Sequence, residues 1–380
     1  MVNKSTFSRL AAGLFLAANM TPAIADNGLV KASNLIPTLL ADVPTVANAG
    51  SIYPAVNHKT NRIYVPNIEA GSVSVIDDKA KKLITTIAID SSKGASGSYA
   101  SGPAGIAIDE ARNIVYVVTN NGTLSAVDGK TNKVKYSFVF DTVNNGPEGF
   151  STGNLVFSTK TGKLYVSNAD VQIDVIDPIQ KKVITTIPDD TAYTLAIDQS
   201  KNLIYVNNLW DAQIAVIDGD TDQFTPTLID VGRPAVPNDC YKTGSCTDEG
   251  SHPDGIALDQ NGHRLYVGLS GDGATGVVDT LNNVLIKTLP VGGYVAAVDT
   301  VTHAAYVSDY FGNLAVIDHH SDSVVASGIQ VANGIQGLPT DNLLGGIVVN
   351  SNLGRIYVAN YGYAPYGLPG PNQLLILQLP

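Results

Sequence analysis

The sequence is poor in charge, and above all in positive charge. Charged residues make up 15% of its 380 residues, and 34 acidic residues outnumber 23 lysines and arginines, which gives a net charge of −11 at pH 7. Proteins that bind nucleic acid or anionic membrane surfaces usually present clusters of positive charge, so we expect neither as a partner. The expected ligand is a small neutral or cationic molecule, or a protein.

Long apolar runs are also missing, except near the N-terminus. Lys4 and Arg9 flank the start of an apolar run over residues 10–20, and residues 23–25 form a small-x-small cleavage sequence. This pattern predicts a signal peptide over residues 1–25 and a mature chain that begins at Asp26, with a retained anchor as the alternative. No later stretch has the roughly 18 apolar residues that a transmembrane helix needs. We therefore predict a periplasmic or secreted bacterial protein without membrane insertion.

Cysteine is nearly absent. Cys240 and Cys246 are the only two in the chain, and export makes a disulfide between them the default interpretation. The alternative is a cysteine-containing metal site, but no second cysteine pair and no flanking histidine support it. The sequence also lacks a Gly-x-Ser-x-Gly motif, a phosphate-binding glycine loop with lysine, and a dinucleotide fingerprint. We predict no cofactor and no metal site.

What the sequence has in abundance is repetition. The repeated unit begins with a strand of the pattern apolar-Tyr-Val. A short polar segment follows, and then a second strand that ends in an apolar residue and Asp. Seven copies of the first strand are centred on Tyr64, Tyr116, Tyr165, Tyr205, Tyr266, Tyr306 and Tyr357. Six copies of the second strand end at Asp77, Asp128, Asp177, Asp218, Asp279 and Asp318. A repeat of this period indicates an array of supersecondary units.

Each copy extends to four short strands. An inner strand such as residues 105–109 precedes the Tyr-Val strand, and an alternating strand such as residues 83–87 ends the unit. Four antiparallel strands repeated seven times predict an all-β seven-bladed β-propeller over residues 51–380. A β-solenoid is the alternative, but the unit is too long for it. The seventh copy stops one strand short, so we expect the N-terminal segment, residues 26–50, to close the ring with a strand from residues 35–43.

The repeats resemble those of the YVTN-type β-propeller family, which is named for a Tyr-Val-Thr-Asn strand. The nearest matches are residues 116–120, 165–168, 205–208 and 357–360, and a Pro-x-Gly-Ile-Ala-x-Asp pattern occurs at Pro103–Asp109 and Pro253–Asp259. The resemblance covers about residues 50–378 and implies an exported seven-bladed propeller. For function it implies several classes, because the family includes secreted and surface-layer proteins with no known activity. Related propellers include lactonases, lactonising isomerases, a streptogramin lyase and partners of quinone-dependent amine dehydrogenases.

The spacing of the repeats locates the expected working face. Successive strand tyrosines are 40 to 61 residues apart, whereas a blade needs only 40. The excess lies between outer and inner strands at residues 90–101, 141–152, 232–251 and 332–342, and within the seventh copy at residues 361–373. In a propeller these connections share one face, the elaborated face, while the short turns share the opposite, plain face. Long loops on a rigid scaffold usually carry binding.

Histidine placement is the sharpest chemical indication. His252 lies at the start of an inner strand on the elaborated face beside Asp254, and Glu148 lies in another long connection. An imidazole near a carboxylate suits general-base chemistry, so these three are the candidate catalytic residues. The alternative is a capped strand start that binds nothing. Five histidines fall in turns of the plain face and are interpreted as solvated: His58, His263, His303, His319 and His320.

Aromatic side chains collect around the expected mouth of the central channel. The candidate ligand-binding residues are Tyr53, Tyr99, Tyr193, Tyr294, Trp210, Tyr310 and Tyr361. Tyrosine and tryptophan combine a large apolar surface with a polar group, which suits the recognition of a ring or a peptide. The alternative is that many of them only pack loops against the blades. The repeated strand tyrosines and aspartates are interpreted as packing and turn residues.

These patterns favour one hypothesis and leave two others open. The favoured hypothesis is a monomeric ligand- or protein-binding or scaffold module that works through its elaborated face. The alternative is a propeller enzyme of the lactonase, isomerase or lyase type, with acid–base residues at the channel mouth. A redox-enzyme subunit is the third.

Overall fold

The chain forms a ring of seven four-stranded sheets. The computed structural model describes residues 35–46, 49–89, 102–140, 154–168, 172–237, 240, 244–309, 311–331, 344–360 and 372–380. Within these ranges its elements are the β-strands β1 to β28, arranged as seven antiparallel sheets. No helix in the described ranges is long and apolar enough to cross a membrane. The predicted all-β seven-bladed propeller is confirmed.

The first four blades follow one another along the chain, from the inner strand to the outer. Blade one consists of Ala55–Asn57 (β2), Arg62–Asn67 (β3), Ser72–Asp77 (β4) and Lys82–Ala88 (β5). Blade two consists of Pro103–Asp109 (β6), Ile114–Thr119 (β7), Thr123–Asp128 (β8) and Lys133–Val139 (β9). Blade three consists of Leu155–Phe157 (β10), Leu164–Asn168 (β11), Gln172–Asp177 (β12) and Lys182–Pro188 (β13). Blade four consists of Ala192–Asp198 (β14), Leu203–Asn208 (β15), Gln213–Asp218 (β16) and Gln223–Asp230 (β17).

The last three blades include the one that joins the two ends of the chain. Blade five consists of Pro253–Asp259 (β18), Arg264–Leu269 (β19), Ala274–Asp279 (β20) and Val284–Leu289 (β21). Blade six consists of Ala296–Val298 (β22), Ala305–Ser308 (β23), Asn313–Asp318 (β24) and Ser323–Gln330 (β25). Blade seven consists of Leu344–Asn350 (β26), Arg355–Asn360 (β27), Gln373–Gln378 (β28) and, as its outer strand, Thr38–Pro44 (β1). The predicted closure by an N-terminal strand is confirmed by the antiparallel pairing of β1 with β28.

The apolar core lies between the blades. Each inner strand contacts the inner strand of the next blade, and β26 contacts β2. Alternate residues of a strand point to opposite faces of its sheet. In β3, Ile63 and Val65 therefore pack on blade seven, whereas Tyr64 packs on Val115 and Val117 of blade two. Middle strands buried on both faces explain why the repeat reads as nearly continuous apolar residues.

The repeated tyrosines join neighbouring blades and the repeated aspartates stabilise tight turns, as the sequence indicated. The hydroxyl of Tyr165 donates to Asp222 Oδ1 in the next blade at 2.6 Å, and that of Tyr357 donates to Asp78 at 2.8 Å. Asp128 Oδ1 accepts two backbone N–H groups of its own turn, at 2.8 and 3.0 Å. These N–H donors lower the pKa of the carboxyl, because they stabilise its charged form.

On the plain face, the end of an inner strand bonds to the first turn of the next blade. We call these contacts the blade latches: Asn57–Asn113 at 2.9 Å, Ser158–Asn202 at 2.6 Å, Asp259–His303 at 2.8 Å and Asn350–Asn61 at 3.2 Å. The interpretation of His303 as a solvated turn residue is therefore wrong, because its Nδ1 pairs with the fully buried carboxylate of Asp259. The ring of His319 lies 5.4 Å from that of His303.

Candidate functional site

Within the described residues, four inner strands have a β-bulge where they begin on the elaborated face. The register with the neighbouring strand shifts between Pro103 and Gly105 in β6 and between Ala192 and Leu195 in β14. The same shift occurs at the start of β18 and of β26. Bulges redirect side chains and are frequent beside functional sites. In β14 and β18 the bulge contains Tyr193 and Asp254.

Three consecutive blades place a tyrosine, an aspartate and a tyrosine at equivalent positions of this bulge. The register shift begins after Ala192 in β14 and after Pro253 in β18, and the next residues are Tyr193 and Asp254. Tyr294 occupies the equivalent position just before β22. Two residues here, Tyr294 and Val295, bond to the single residue Ser308: Tyr294 N–H donates to Ser308 O, and Ser308 N–H donates to Val295 O. The side chain of Asp254 is only 6% exposed. A buried carboxylate thus lies between two tyrosine positions.

Neighbouring blades fix the backbone around Asp254. Its carbonyl accepts bonds from Thr194 Oγ1 at 2.7 Å and from Asn207 Nδ2 at 2.8 Å, both in blade four. On the other side, Gly255 N–H donates to Tyr294 O in blade six at 2.9 Å. A Cβ on Gly255 would lie 2.7 Å from that carbonyl, so this close approach requires glycine. The position of Asp254 is therefore set by three blades.

Tyr53 of blade one lies beside Tyr193, Asp254 and Tyr294. Its backbone has a φ of +32°, and its N–H donates to Gly345 O of blade seven at 3.0 Å. Burial raises the pKa of Tyr53 well above its usual 10; Tyr193 and the charge of Asp254 raise it further, while a hydrogen bond with Tyr294 lowers it. These interactions bring the four side chains together, and we call them the mouth cluster.

His252 forms a pair with Asp254 at the edge of the mouth cluster. Its Nδ1 lies 3.6 Å from Asp254 Oδ2 and 3.2 Å from Ser270 Oγ. The backbone of His252 has a φ of +50°, and its carbonyl accepts the N–H of Ser270 at 3.0 Å. Burial by itself lowers the pKa of His252, but the hydrogen bond and charge of Asp254, helped by Glu249, outweigh it and raise the pKa above 6.5.

Trp210 and the disulfide segment flank this histidine. The rings of Trp210 and His252 meet edge to face, with centroids 5.0 Å apart and planes at 85°. The carbonyl of Trp210 accepts the N–H of Ala235 at 2.8 Å, which ties the tryptophan to the long connection before blade five. Within that connection, the predicted disulfide between Cys240 and Cys246 is confirmed.

Sequence reasoning missed the polar clamp that holds this connection. Arg233 pairs with Asp248 at 2.5 Å and with Asp272 at 2.8 Å. Ser251 Oγ donates to Asp272 Oδ2 at 2.5 Å and accepts the N–H of Arg233 at 2.7 Å. The clamp fixes the residue before His252. No spacing in the sequence indicates it, because its members come from three separate turns.

A small cavity adjoins the mouth cluster and is lined in part by Tyr53. Its volume is about 130 Å³. Its walls come from positions that follow the bulge, and they include Asn154 and Thr194 besides Ile106, Ile256 and Ile347. Aliphatic side chains thus contribute to the walls, but most of the exposed lining is polar.

The structure brings most of the predicted residues together. Tyr53, Tyr193 and Tyr294 converge with Asp254, and Trp210 contacts His252 next to them. The other candidates lie outside the described residues: Tyr99, Glu148, Tyr310 and Tyr361. In the described ranges, no group of three or more histidine, cysteine or acidic side chains is arranged to hold a metal ion.

Comparison with known proteins finds distant relatives. No protein-family model matches the chain. Two relatives described as uncharacterized protein YncE, from Escherichia coli O157:H7 and strain K12, are 23% identical over 292 residues, which is 69% of this chain and 80% of theirs. The YncE of Salmonella typhi is 23% identical over 285 residues, 67% of this chain and 78% of its own. The resemblance to the YVTN-type family therefore stays a prediction, and the function has to be argued from the site.

Proposed function

We propose that this chain is an exported β-propeller that binds a small neutral or cationic molecule at the channel mouth of its elaborated face. The observation that carries the proposal is the convergence of Tyr53, Tyr193, Tyr294 and Asp254 from four blades on one point. Tyr53 and Tyr294, which are 241 positions apart in the sequence, meet there. Packing alone needs no such set, because apolar side chains would fill the mouth at lower cost than a buried carboxylate.

Backbone strain at the mouth supports a binding role. Tyr53 and His252 both have positive φ values, a region that tyrosine avoids and that histidine enters more often than most residues. Such conformations cost about 1–3 kcal/mol each and persist mainly at ligand-binding and catalytic sites. Positive φ values also occur at Asn61 and Asn113, which are of a type that tolerates this conformation, and at Lys81, Lys181 and Ala212, which are not.

The site also has the composition of a small-molecule pocket. It combines aromatic and aliphatic side chains with polar groups in fixed positions, and ligand sites in proteins also contain both kinds of group. The tyrosine hydroxyls can both donate and accept hydrogen bonds, whereas Asp254 as a carboxylate only accepts. This combination suits a neutral or positively charged polar group and disfavours an anion.

An acid–base enzyme is the second candidate, and the pairing of His252 with Asp254 favours it. An imidazole with a raised pKa beside a buried carboxylate is suited to proton transfer near neutral pH. Glu148, the third predicted catalytic residue, lies outside the described residues. The two candidates share one site and differ in whether the bound molecule is recovered unchanged.

The location and the domain limits belong to the same proposal. We propose a signal peptide over residues 1–25, a segment with the closing strand over residues 26–50, and the propeller over residues 51–380, in a periplasmic or secreted monomer. The signal peptide lies outside the described residues. The disulfide of Cys240 and Cys246 supports a non-cytoplasmic location, because disulfides persist mainly in oxidising compartments.

The proposal is tested by screening small molecules against the purified chain. The intrinsic fluorescence of Trp210, the single tryptophan of the chain, reports events next to His252. We expect Tyr53→Phe and Tyr294→Phe to weaken a true ligand about three- to tenfold, since each removes one hydrogen-bonding hydroxyl. The matched control is Tyr136→Phe, whose hydroxyl bonds Pro178 O on an outer strand.

Each outcome of this screen decides the proposal. Ligands that bind wild type and the Tyr136→Phe variant alike, but Tyr53→Phe more weakly, support it. Ligands whose affinity is the same for all variants would place the binding surface elsewhere and contradict it. Chemical conversion of a bound molecule would support the hypothesis of an acid–base enzyme.

A further inference from the structure

The blade latch between blades five and six differs chemically from the other three. It joins the carboxylate of Asp259 to the imidazole of His303, whereas the other latches join asparagine and serine side chains. Asparagine and serine side chains do not titrate, but a carboxylate and an imidazole do. Of the four latches, this one alone is therefore built from titratable groups.

A second imidazole packs into the same junction. His319 lies in the turn between β24 and β25, and its ring centroid is 5.4 Å from that of His303. A Cβ on Gly262, in the first turn of blade five, would lie 2.9 Å from Cε1 of His319. The ring of His319 therefore lies against blade five as well as against the latch of its own blade.

Two buried polar atoms of this junction have no hydrogen-bond partner among the described residues. They are the hydroxyl of Tyr266, which packs on blade six, and Nδ1 of His319. The corresponding hydroxyls of Tyr165 and Tyr357 donate to the next blade instead. A buried group without a partner weakens the folded state, and contact with water satisfies it. These two atoms therefore lower the free-energy cost of opening the junction.

The charged groups around His319 disfavour a proton on its ring. The two carboxylates that act on it are already paired, Asp259 with His303 at 2.8 Å and Asp322 with Arg264 at 3.1 Å. Burial lowers the pKa of His319, and the attraction of the two carboxylates raises it. Arg264 and His303 lower it again, and the net result is a pKa below 6.5. His319 therefore binds a proton less firmly in the closed junction than in water.

The remaining titratable groups of the turn are Asp318 and His320. Nδ1 of His320 lies 3.5 Å from Oδ1 of Asp318, and the side chain of His320 is 68% exposed. The ring centroids of His319 and His320 are 5.5 Å apart. The turn thus contains one exposed histidine and one that is partly buried against the neighbouring blade.

The two inner strands of this junction also reach the mouth cluster. The latch residue Asp259 is the last residue of β18, and Gly255 lies near the start of the same strand. Gly255 N–H donates to the carbonyl of Tyr294, just before β22, at 2.9 Å. A movement that separates β18 from β22 therefore breaks contacts on both faces of the ring.

We propose that the junction between blades five and six is an acid-sensitive switch, in which protonation of His319 favours an open state with β18 separated from β22. In the closed state the added charge lies partly buried beside Arg264, whereas in the open state water hydrates it. The switch goes beyond the proposed ligand site, and it operates whether or not the mouth binds a small molecule. Because Gly255 and Tyr294 belong to the same junction, acid also loosens the mouth.

The sign and size of the effect follow from the linkage between protonation and opening. His319 has its ordinary pKa of 6.5 in the open state and a lower pKa in the closed state. The closed state therefore keeps its full advantage above pH 6.5 and loses it as the pH falls through the closed-state pKa. At pH 5 the population of the open state can rise by at most about thirtyfold. The raised pKa of His252 acts with the opposite sign, so the test compares variants with wild type at the same pH.

The experiment measures amide hydrogen exchange of the purified full chain by mass spectrometry at pH 5 and at pH 7.5. Wild type is compared with His319→Thr, because Thr280 occupies the equivalent turn position of blade five. Intrinsic exchange rates and the contribution of His252 cancel in the ratio of the two rates. In peptides from β18 and β22, we expect the ratio of wild-type to variant rate to rise about three- to thirtyfold from pH 7.5 to pH 5.

The controls separate this junction from general effects of charge. His320→Thr makes the same replacement at the exposed neighbour and should keep the wild-type pH dependence. Peptides from β6 and β10, between blades two and three, should give the same ratio at both pH values. His319→Gln is a second neutral variant and should behave like His319→Thr, and thermal melts at pH 7.5 check that the variants fold.

Two results would overturn the switch. The first is a ratio in β18 and β22 that does not change with pH for either His319 variant. The second is an equal change in His320→Thr or in the peptides from β6 and β10, because the response would then belong to surface charge or to the whole ring. A change confined to β18 and β22 and to the two His319 variants supports it.

Discussion

At the scale of single residues, His252 and Tyr53 carry the chemical character of the mouth. Both have side chains that interact with the carboxylate of Asp254, and both have left-handed backbones. An asparagine or glycine would satisfy the backbone more cheaply. The side chains themselves therefore account for the presence of histidine and tyrosine at these positions.

His252 should titrate visibly through Trp210. A protonated imidazole in contact with an indole quenches its fluorescence, so the emission should rise with pH and have a midpoint above 6.5. Asp254→Asn should move the midpoint down, because burial remains while the opposite charge is lost. His303→Asn on the plain face is the control and should leave the curve unchanged.

The same shift has a consequence for stability. The pKa of His252 is higher in the folded chain than in the unfolded chain, so its contribution is fully present below pH 6.5. It is lost as the pH rises through the folded-state value. A midpoint at or below 6.5, or one that Asp254→Asn does not move, would contradict this account.

At the scale of elements, the bulges lie on the elaborated face and the blade latches lie on the plain face. The bulges lie at the starts of β6, β14, β18 and β26, and those of β14 and β18 contain Tyr193 and Asp254. The latches at the other ends of the inner strands join neighbouring blades. In three of the four latches both partners are uncharged, and only Asp259–His303 joins a carboxylate to an imidazole.

The His303 latch should contribute to stability. His303→Ala leaves the buried Asp259 carboxylate without this partner and places alanine at a φ of +61°, so we expect a loss of about 2 kcal/mol. His303→Asn should recover most of this loss, because asparagine occupies the same position in other latches.

The matched control for the latch is the exposed His320 in the same blade. His320→Ala should change the free energy of unfolding, measured in urea, by less than about 0.5 kcal/mol. Equal effects of the two alanine variants would show that the latch does not contribute.

At the scale of the whole molecule, closure of the ring holds the mouth together. Tyr53 belongs to blade one, while Tyr193, Asp254 and Tyr294 belong to blades four to six. They meet only because blade seven, which contains both ends of the chain, joins the ring. The stability of β1 and the geometry of the site are therefore linked.

Two substitutions in β1 test this closure. Val43 is 2% exposed and packs against blade one, whereas Leu39 in the same strand is 58% exposed. Val43→Ala should cost about 2 kcal/mol in urea unfolding, and Leu39→Ala less than about 0.5 kcal/mol. If both cost the same, the strand does not close the ring through its buried face.

Much of the scaffold follows from the sequence because its determinants are local and repeated. The alternation around Tyr64 recurs in all seven copies and the turn at Asp128 in six, so the strands, the blade number and the closing strand were predictable. The pairing of Cys240 with Cys246 followed from their number alone. The interpretation of His303 as a solvated residue was wrong, because spacing within one blade does not show that His303 faces Asp259 of the blade before it.

The sequence by itself determined a seven-fold propeller, its two unequal faces and a set of aromatic and acidic residues near one end of the channel. Only the tertiary structure decided which of them meet. Tyr53 lies one position further along its strand than Tyr193, yet its side chain reaches Tyr193, Tyr294 and Asp254. The physical reason is that strand and turn patterns depend on neighbours in sequence, whereas the mouth depends on the bulges and on the closed ring, which position residues from distant blades.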